Sequence, residues 1–219
     1  AASIMMLLIG LLIGAWQAFW IAYVHVPPFI TTLSGMLVFR GLSNVVLNGL
    51  TVSLTNAGFV KVFGGGAECY IPDFLGGNGF NITCMLVGVI ACVIYVLVQI
   101  KNRMNRAKKG YEMEALSAMV IRTVIICAVI LVFMFRLAQY KGIPTALVWV
   151  ALVVLIYGYI TSKTTTGRYF YAVGGNEKAT KLSGIDTNKV YFLAYLNMGL
   201  LAAIAGMVTM ARLNSSNPQ

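Results

Sequence analysis

The chain has few charged residues. Asp, Glu, Lys and Arg make up only 10% of its 219 residues, whereas a soluble domain carries about 25%. Hydrophobic residue types make up 59% of the chain, and the mean hydropathy is +0.84. So few charges cannot cover a surface that faces water. The composition therefore predicts a polytopic membrane protein rather than a soluble domain.

Motifs for catalysis and metal binding are also lacking. His25 is the only histidine, and no Ser, Cys or carboxylate partner is suggested for it. The glycine run at 64–66 has no Lys-Ser or Lys-Thr after it, so it is not a phosphate-binding loop. We therefore expect no catalytic residue and no cofactor or metal on this chain.

The four cysteines show no CxxC spacing, which excludes the usual zinc and redox motifs. Cys84, Cys92 and Cys127 lie in or beside apolar runs, where a thiol behaves as a small apolar side chain. A disulfide between Cys69 and Cys84 is one interpretation. The other interpretation, which we favour, is that Cys69 and Cys84 both remain thiols.

Six segments are long and apolar enough to cross a membrane, which takes roughly 20 residues. They lie at about 1–23, 29–47, 82–100, 115–137, 144–161 and 190–213. The predicted fold class is all-α: a polytopic integral membrane helix bundle that forms a single transmembrane domain over 1–219.

The net charge of +10 is concentrated between these segments. Basic residues cluster at 101–112 and 162–189, and an excess of Lys and Arg marks cytoplasmic loops. The glycine-rich stretch 48–81, with Lys61 against Glu68 and Asp73, is then external. This placement of charge argues against nucleic-acid binding, the other common reason for a basic chain.

The second apolar segment is unusually polar for a helix that faces lipid. Arg40 lies at its middle, with Asn44 and Asn48 at i+4 and i+8 on the same helical face. Such a stripe can hydrogen-bond sugar hydroxyls, or it can tie helices together through backbone carbonyls. The candidate residues for a substrate pathway are Thr32, Ser34, Arg40, Asn44 and Asn48.

Local signals in the stretch 162–189 predict a short cytoplasmic helix over 176–182. Asn176 is a good N-cap, Glu177 suits a helix N-terminus, and Gly184 suits the position after the C-cap. A helix of two turns is too short to persist alone. It is either docked on a surface, which we favour, or part of a solvated connector.

Three stretches carry a resemblance to a known family. GRYFYAVGGNEKATKLSGI occupies 167–185 and precedes the apolar segment 190–213, while VPPFITTLSGMLVFRG occupies 26–41. The third is the basic stretch 101–109 with the hairpin that ends in Gly-Ile-Pro at 142–144. Together they resemble bacterial ABC sugar-importer permeases of the ribose/xylose type, in the xylose or multiple-monosaccharide branch. The resemblance covers most of the chain and is weakest over 48–81.

The resemblance implies a permease subunit that moves a monosaccharide, a xylose-like pentose or a related hexose, across the bacterial inner membrane by alternating access. The implied partners are an ABC ATP-binding subunit, which uses ATP and Mg, an external or periplasmic sugar-binding protein, membrane lipid, and a second permease subunit in a homodimer. The chain is then a fragment of a longer multi-pass permease. The family's ATPase-coupling role falls on Gly174, Gly175, Asn176, Glu177, Ala179, Thr180 and Leu182.

Two other classes of protein fit parts of the sequence. An ion-coupled secondary transporter of small polar solutes needs intramembrane acids or broken helices, and the chain has only six acids. A structural scaffold has no need for a polar helix at membrane depth. Both are therefore less favoured than the ABC permease.

Overall fold

A computed structural model describes residues 2–64, 69–71, 73, 74, 76, 80–110 and 115–217. Several residues used in the sequence analysis lie outside these ranges. They are Ala1, Gly65, Gly66, Glu68 and the end of the basic stretch at 111–112.

The described residues are mainly helical. The helices are α1 Ala2–Ala22, α2 Pro28–Leu47, α3 Ala57–Phe63, α4 Ile82–Lys108, α5 Leu116–Tyr140, α6 Thr145–Lys163, α7 Thr165–Gly175, α8 Glu177–Leu182 and α9 Thr187–Leu213. Two short strands, β1 Val52–Ser53 and β2 Ser215–Ser216, pair antiparallel. Six of these helices are long and apolar enough to span a membrane, namely α1, α2, α4, α5, α6 and α9. The predicted all-α polytopic class is confirmed.

The structure differs from the sequence prediction between the apolar segments. Helix α4 continues through Lys108, so most of the basic stretch 101–112 is helical. Its Lys, Arg and Ala residues are good helix formers, and leaving an apolar layer does not itself end a helix. The stretch 48–81, which the charge pattern predicts to be external, contains α3, whose N-terminal amides at Gly58 and Phe59 are capped by the Asn56 side chain.

The internal contacts of the chain divide it into two compact units. The first comprises Ala1–Cys69 and Ala146–Gln219. In it α1 packs along α9 through small residues, with Gly14 against Gly199. Helix α2 packs on α1 through Gly35, which meets the Gln17 side chain.

The short helix α3 packs on membrane helices of the first unit. Phe63, Met207 and Ala211 form a buried cluster there. The ring of Trp149 stacks on Phe63 with centroids 5.0 Å apart, and its Nε1 donates a hydrogen bond of 3.0 Å to the Val62 carbonyl oxygen. This packing, together with the β1–β2 pair, holds the first part of the stretch 48–81 against α6 and α9.

The second unit comprises Tyr70–Thr145 and is built on the α4–α5 hairpin. Gly88 of α4 lies against the Met134 side chain of α5. Asn81 caps α4 by accepting a hydrogen bond from the Cys84 backbone N–H at 2.9 Å. Cys69 and Cys84 are both thiols, in agreement with the interpretation favoured from the sequence, that they do not form a disulfide.

Candidate functional site

Helix α8, the predicted short helix, forms with the predicted N-cap. The Asn176 Oδ1 atom accepts a hydrogen bond from the Ala179 backbone N–H at 3.0 Å. The Asn176 backbone N–H donates to the Ala172 carbonyl oxygen of α7, also at 3.0 Å. One residue therefore ends α7 and starts α8.

The C-terminal end of α8 also forms as predicted. Gly184 has a positive φ of 82°, a left-handed conformation that glycine adopts without steric cost. Its N–H donates to the Lys181 carbonyl oxygen at 3.0 Å, and the Ile185 N–H donates to the Thr180 carbonyl oxygen at 3.3 Å. These bonds satisfy carbonyl groups that would otherwise lack partners at the helix end.

Helix α8 has a buried side and an exposed side. Thr180 is 6% exposed, and its hydroxyl donates to the Asn176 carbonyl oxygen at 2.8 Å. The Tyr191 hydroxyl of α9 donates to Glu177 Oε2 at 3.1 Å. On the opposite side Ala179 is exposed and Leu182 is 90% exposed, three positions apart on the same helical face. The helix is therefore held by the chain on one side and presents an apolar pair flanked by Lys178 and Lys181 on the other.

The preceding helix, α7, was not predicted from the sequence. Gly174 and Gly175 form its last turn, so the turn into α8 is made by Asn176 and not by these glycines. A Cβ atom added at Gly174 or Gly175 would meet no atom within 4 Å. The hydrogen bond from Tyr191 to Glu177 was also missed, because a contact across 14 residues leaves no periodic signal.

The start of α9 adds an acidic group beside this segment. Asp186 Oδ1 accepts hydrogen bonds from the backbone N–H groups of Asn188 and Lys189, and its Oδ2 lies 3.3 Å from Lys189 Nζ. The Lys189 backbone N–H and ammonium group hold the pKa of Asp186 below its ordinary value. Asp186 therefore caps α9 as a carboxylate near neutral pH.

The polar residues of α2 have a different setting. Thr31 and Gly35 are buried, whereas Ser34, Arg40 and Asn44 are exposed. The Thr32 hydroxyl donates to the Pro28 carbonyl oxygen of its own helix at 2.8 Å. Asn48 is the C-cap and has a left-handed backbone with φ of 50°. Arg40 and Asn44 therefore lie on one face of α2, and this face ends before Asn48.

Within the part of the chain that the structure describes, no hydrogen bond or ion pair is made by the Arg40 guanidinium group. The same residues contain no group of three or more His, Cys, Asp or Glu side chains that could hold a metal ion. The arrangement can therefore offer hydrogen-bond donors to a solute or to another protein segment. It contains no set of residues arranged for metal chemistry.

Comparison with known proteins gives one family match and several related permeases. The profile of the family described as "Branched-chain amino acid transport system / permease component" matches residues 64–219. The xylose transport system permease protein XylH of Escherichia coli (strain K12) is 35% identical over 215 residues, which are 98% of this chain and 52% of that protein. XylH of Haemophilus influenzae is 35% identical over 210 residues, 96% of this chain and 53% of that protein. No solved structure matches the chain significantly.

A further relative matches only part of the chain. The ribose import permease protein RbsC of Escherichia coli (strain K12) is 44% identical over 84 residues, 38% of this chain and 26% of that protein. The chain thus spans about half the length of the xylose permeases that it resembles. The resemblance to xylose and ribose permeases stated from the sequence is confirmed.

The family is one of transport permeases rather than enzymes. With six apolar helices among its described residues, the chain is a multi-pass protein of the inner membrane. The family profile covers more than half of the chain, including α7, α8 and α9. The chain therefore belongs to the family of permease components typified by branched-chain amino acid transport systems.

Proposed function

We propose that the chain is part of the permease subunit of an ATP-binding-cassette importer that moves a monosaccharide, a xylose-like pentose or a related hexose, into the cell by alternating access. The observation that carries this proposal is the 35% identity to the XylH xylose permease over 98% of the chain. The family description mentions branched-chain amino acids. The similarity to xylose and ribose permeases favours a sugar as the solute.

An ion-coupled secondary transporter remains the alternative. The six described membrane helices contain no Asp or Glu. Proton-coupled transport commonly relies on such acids within the membrane. Their absence from these helices weighs against proton coupling and favours a separate source of energy.

The proposed energy input is an ABC ATP-binding subunit that docks on α8. The exposed pair Ala179 and Leu182 would contact this subunit, while Thr180, Glu177 and Asn176 would hold α8 to the chain. Gly174 and Gly175 would let the last turn of α7 approach the same partner closely. ATP and Mg would be bound by that partner and not by this chain.

For the solute pathway we propose the polar face of α2 that carries Arg40 and Asn44. Thr32, Ser34 and Asn48 are assigned to the same pathway, where the Thr32 hydroxyl is bonded to its own helix and Asn48 lies past the helix end. An arginine that is exposed on a membrane helix needs water, a solute or another polar segment around it. A second permease subunit is the proposed neighbour, and an external sugar-binding protein is the proposed source of solute.

The proposed function is tested with the full-length permease, its ATP-binding subunit and its sugar-binding protein in proteoliposomes. Uptake of radiolabelled xylose, glucose, galactose and arabinose is measured with and without ATP, and radiolabelled leucine tests the amino-acid alternative. We expect uptake of at least one sugar that requires both ATP and the binding protein. Uptake of leucine alone, or sugar uptake driven by an ion gradient without ATP, would reject the proposal.

A substitution at Ala179 tests the coupling role of α8. Ala179→Trp adds a large side chain to the exposed apolar pair, and packed contacts tolerate little added volume. We expect it to abolish binding-protein-stimulated ATP hydrolysis or to release the ATP-binding subunit during purification. Ala107→Trp is the matched control, because Ala107 is exposed on the basic end of α4. Wild-type stimulation and uptake in the Ala179 variant would make α8 a solvated connector.

A further inference from the structure

The junction between α6 and α7 is built around two residues, Thr164 and Gly167. We propose that they are positioning residues, which transmit a displacement of α8 to the membrane helix α6. The inference rests on the proposed function, because it assigns a path for the movement that the ATP-binding subunit would impose on α8.

Thr164 is the single residue between the two helices, and it is bonded to both. Its backbone N–H and its hydroxyl donate to the Ile160 carbonyl oxygen of α6, at 3.2 and 2.6 Å. Its hydroxyl accepts a hydrogen bond from the Gly167 N–H of α7 at 3.3 Å, and its carbonyl oxygen accepts one from the Arg168 N–H, also at 3.3 Å. A residue with two bonds to each helix leaves little freedom for a hinge.

Gly167 brings the first turn of α7 into direct contact with the last turn of α6. A Cβ atom at Gly167 would lie 2.5 Å from the Ile160 carbonyl oxygen, and it would also collide with the Thr161 carbonyl oxygen. Both are backbone atoms, so no side-chain movement can relieve the contact. Only glycine allows this approach, which fixes the angle at which α7 leaves α6.

A single residue also joins the other end of α7 to α8. Asn176 is the C-cap of α7 and the N-cap of α8. The Glu177 carboxylate of α8 is bonded to the Tyr191 hydroxyl of α9. Helix α8 is therefore connected to α6 through α7 and to α9 through a side-chain contact.

A displacement of α8 would act on both membrane helices. At the α6 end the Thr164 junction resists bending, so the displacement passes into α6 instead of being absorbed. Helix α6 also contacts α9 within the membrane span, where the Tyr157 hydroxyl donates to Asn197 Oδ1 at 3.2 Å. Movement of α6 would therefore change this contact between α6 and α9.

The test uses the full-length permease assembled with its ATP-binding subunit and its sugar-binding protein. Gly167→Ala forces the helices apart at the junction. Thr164→Val keeps the shape of the side chain and removes its hydroxyl, and Thr164→Ser keeps the hydroxyl. Gly158→Ala is the matched control within α6, because nothing lies within 4 Å of a Cβ atom at Gly158.

Three quantities are measured for each variant: co-purification of the ATP-binding subunit, stimulated ATP hydrolysis, and sugar taken up per ATP hydrolysed. Coupling between sites typically corresponds to about 5- to 150-fold. We expect Gly167→Ala and Thr164→Val to retain the ATP-binding subunit and to lose about fivefold or more in sugar per ATP. Thr164→Ser and Gly158→Ala should match the wild type.

A wild-type ratio of sugar to ATP in assembled Gly167→Ala and Thr164→Val complexes would overturn the inference while leaving the proposed function intact. If Gly167→Ala does not assemble, equal ratios in Thr164→Val and Thr164→Ser overturn it. Failure of both Gly167→Ala and Thr164→Val to assemble would also overturn it, since the junction would then serve folding alone. Absence of ATP-dependent uptake in the wild-type complex would instead reject the proposed function, and the coupling role with it.

Discussion

The contact between α1 and α9 depends on glycines that leave no room for a side chain. Backbone atoms of the two helices approach closely at Gly199, where an added Cβ atom would lie 2.5 Å from the Gly10 carbonyl oxygen and 2.6 Å from the Gly14 Cα atom. Ordinary van der Waals contact begins at 3.4 Å. Gly199→Ala would therefore have to separate the helices by about 0.9 Å at this point.

The expected cost follows from the kind of atom that obstructs the methyl group. Since the obstructing atoms belong to the backbone, rotamer changes cannot relieve the clash, and overpacking of this kind costs about 1–3 kcal/mol. Each kcal/mol shifts the midpoint of thermal unfolding by about 2–4 °C in a protein of 150–250 residues and by less in a longer one, so the midpoint of the full-length permease should fall by up to about 12 °C. The better helix propensity of alanine offsets at most about 1 kcal/mol.

Gly206→Ala is the matched control, because it lies in the same helix and nothing lies within 4 Å of its added Cβ atom. Both variants gain the same helix propensity, so their difference isolates the contact with α1. The assay is the fraction of full-length permease that stays monodisperse in detergent after heating. Equal midpoints for the two variants would refute the close approach of α1 and α9.

Three further predictions concern orientation, the polar helix and pH. In a cysteine-free background, an impermeant maleimide outside intact cells should label Lys61→Cys and not Lys108→Cys; external labelling at position 108 would reverse the proposed orientation. Arg40→Leu should lower sugar uptake about tenfold or more without loss of the ATP-binding subunit, because it removes the charged hydrogen bonds that the guanidinium group would donate to the solute; unchanged uptake would exclude Arg40 from the pathway. Because the pKa of Asp186 is lowered in the folded chain, its carboxylate stabilises the fold at pH values above the ordinary pKa of about 3.9. This stabilisation is lost as the pH falls through the lowered pKa. The Asp186→Asn variant keeps a capping side chain that does not titrate. Its midpoint of thermal unfolding should therefore fall less than that of the wild type when the pH is lowered from 5 to strongly acidic values. Equal falls would show that the Asp186 carboxylate does not contribute to the pH dependence of stability.

The membrane helices could be predicted because their signal is local. A run of about 20 apolar residues is sufficient to identify a span, and the predicted starts and ends of α1 and α2 lie within one residue of those in the structure. The caps of α8 are equally local, since Asn176 and Gly184 act within four residues along the chain. The missed helix α7 has no long apolar run, and its two terminal glycines disfavour a helix when judged by propensity alone.

Composition, hydropathy and short-range capping thus determined the class of protein, the number of spans and the existence of α8. Only the tertiary structure decided which side of α8 is held and which is exposed, because that depends on Tyr191, which is 14 residues from Glu177. It also decided that Gly167 and Gly199 are sites of close backbone approach while Gly158 and Gly206 are not. These glycines cannot be told apart in the sequence, because a glycine is required only where another backbone comes within contact distance of its missing Cβ atom.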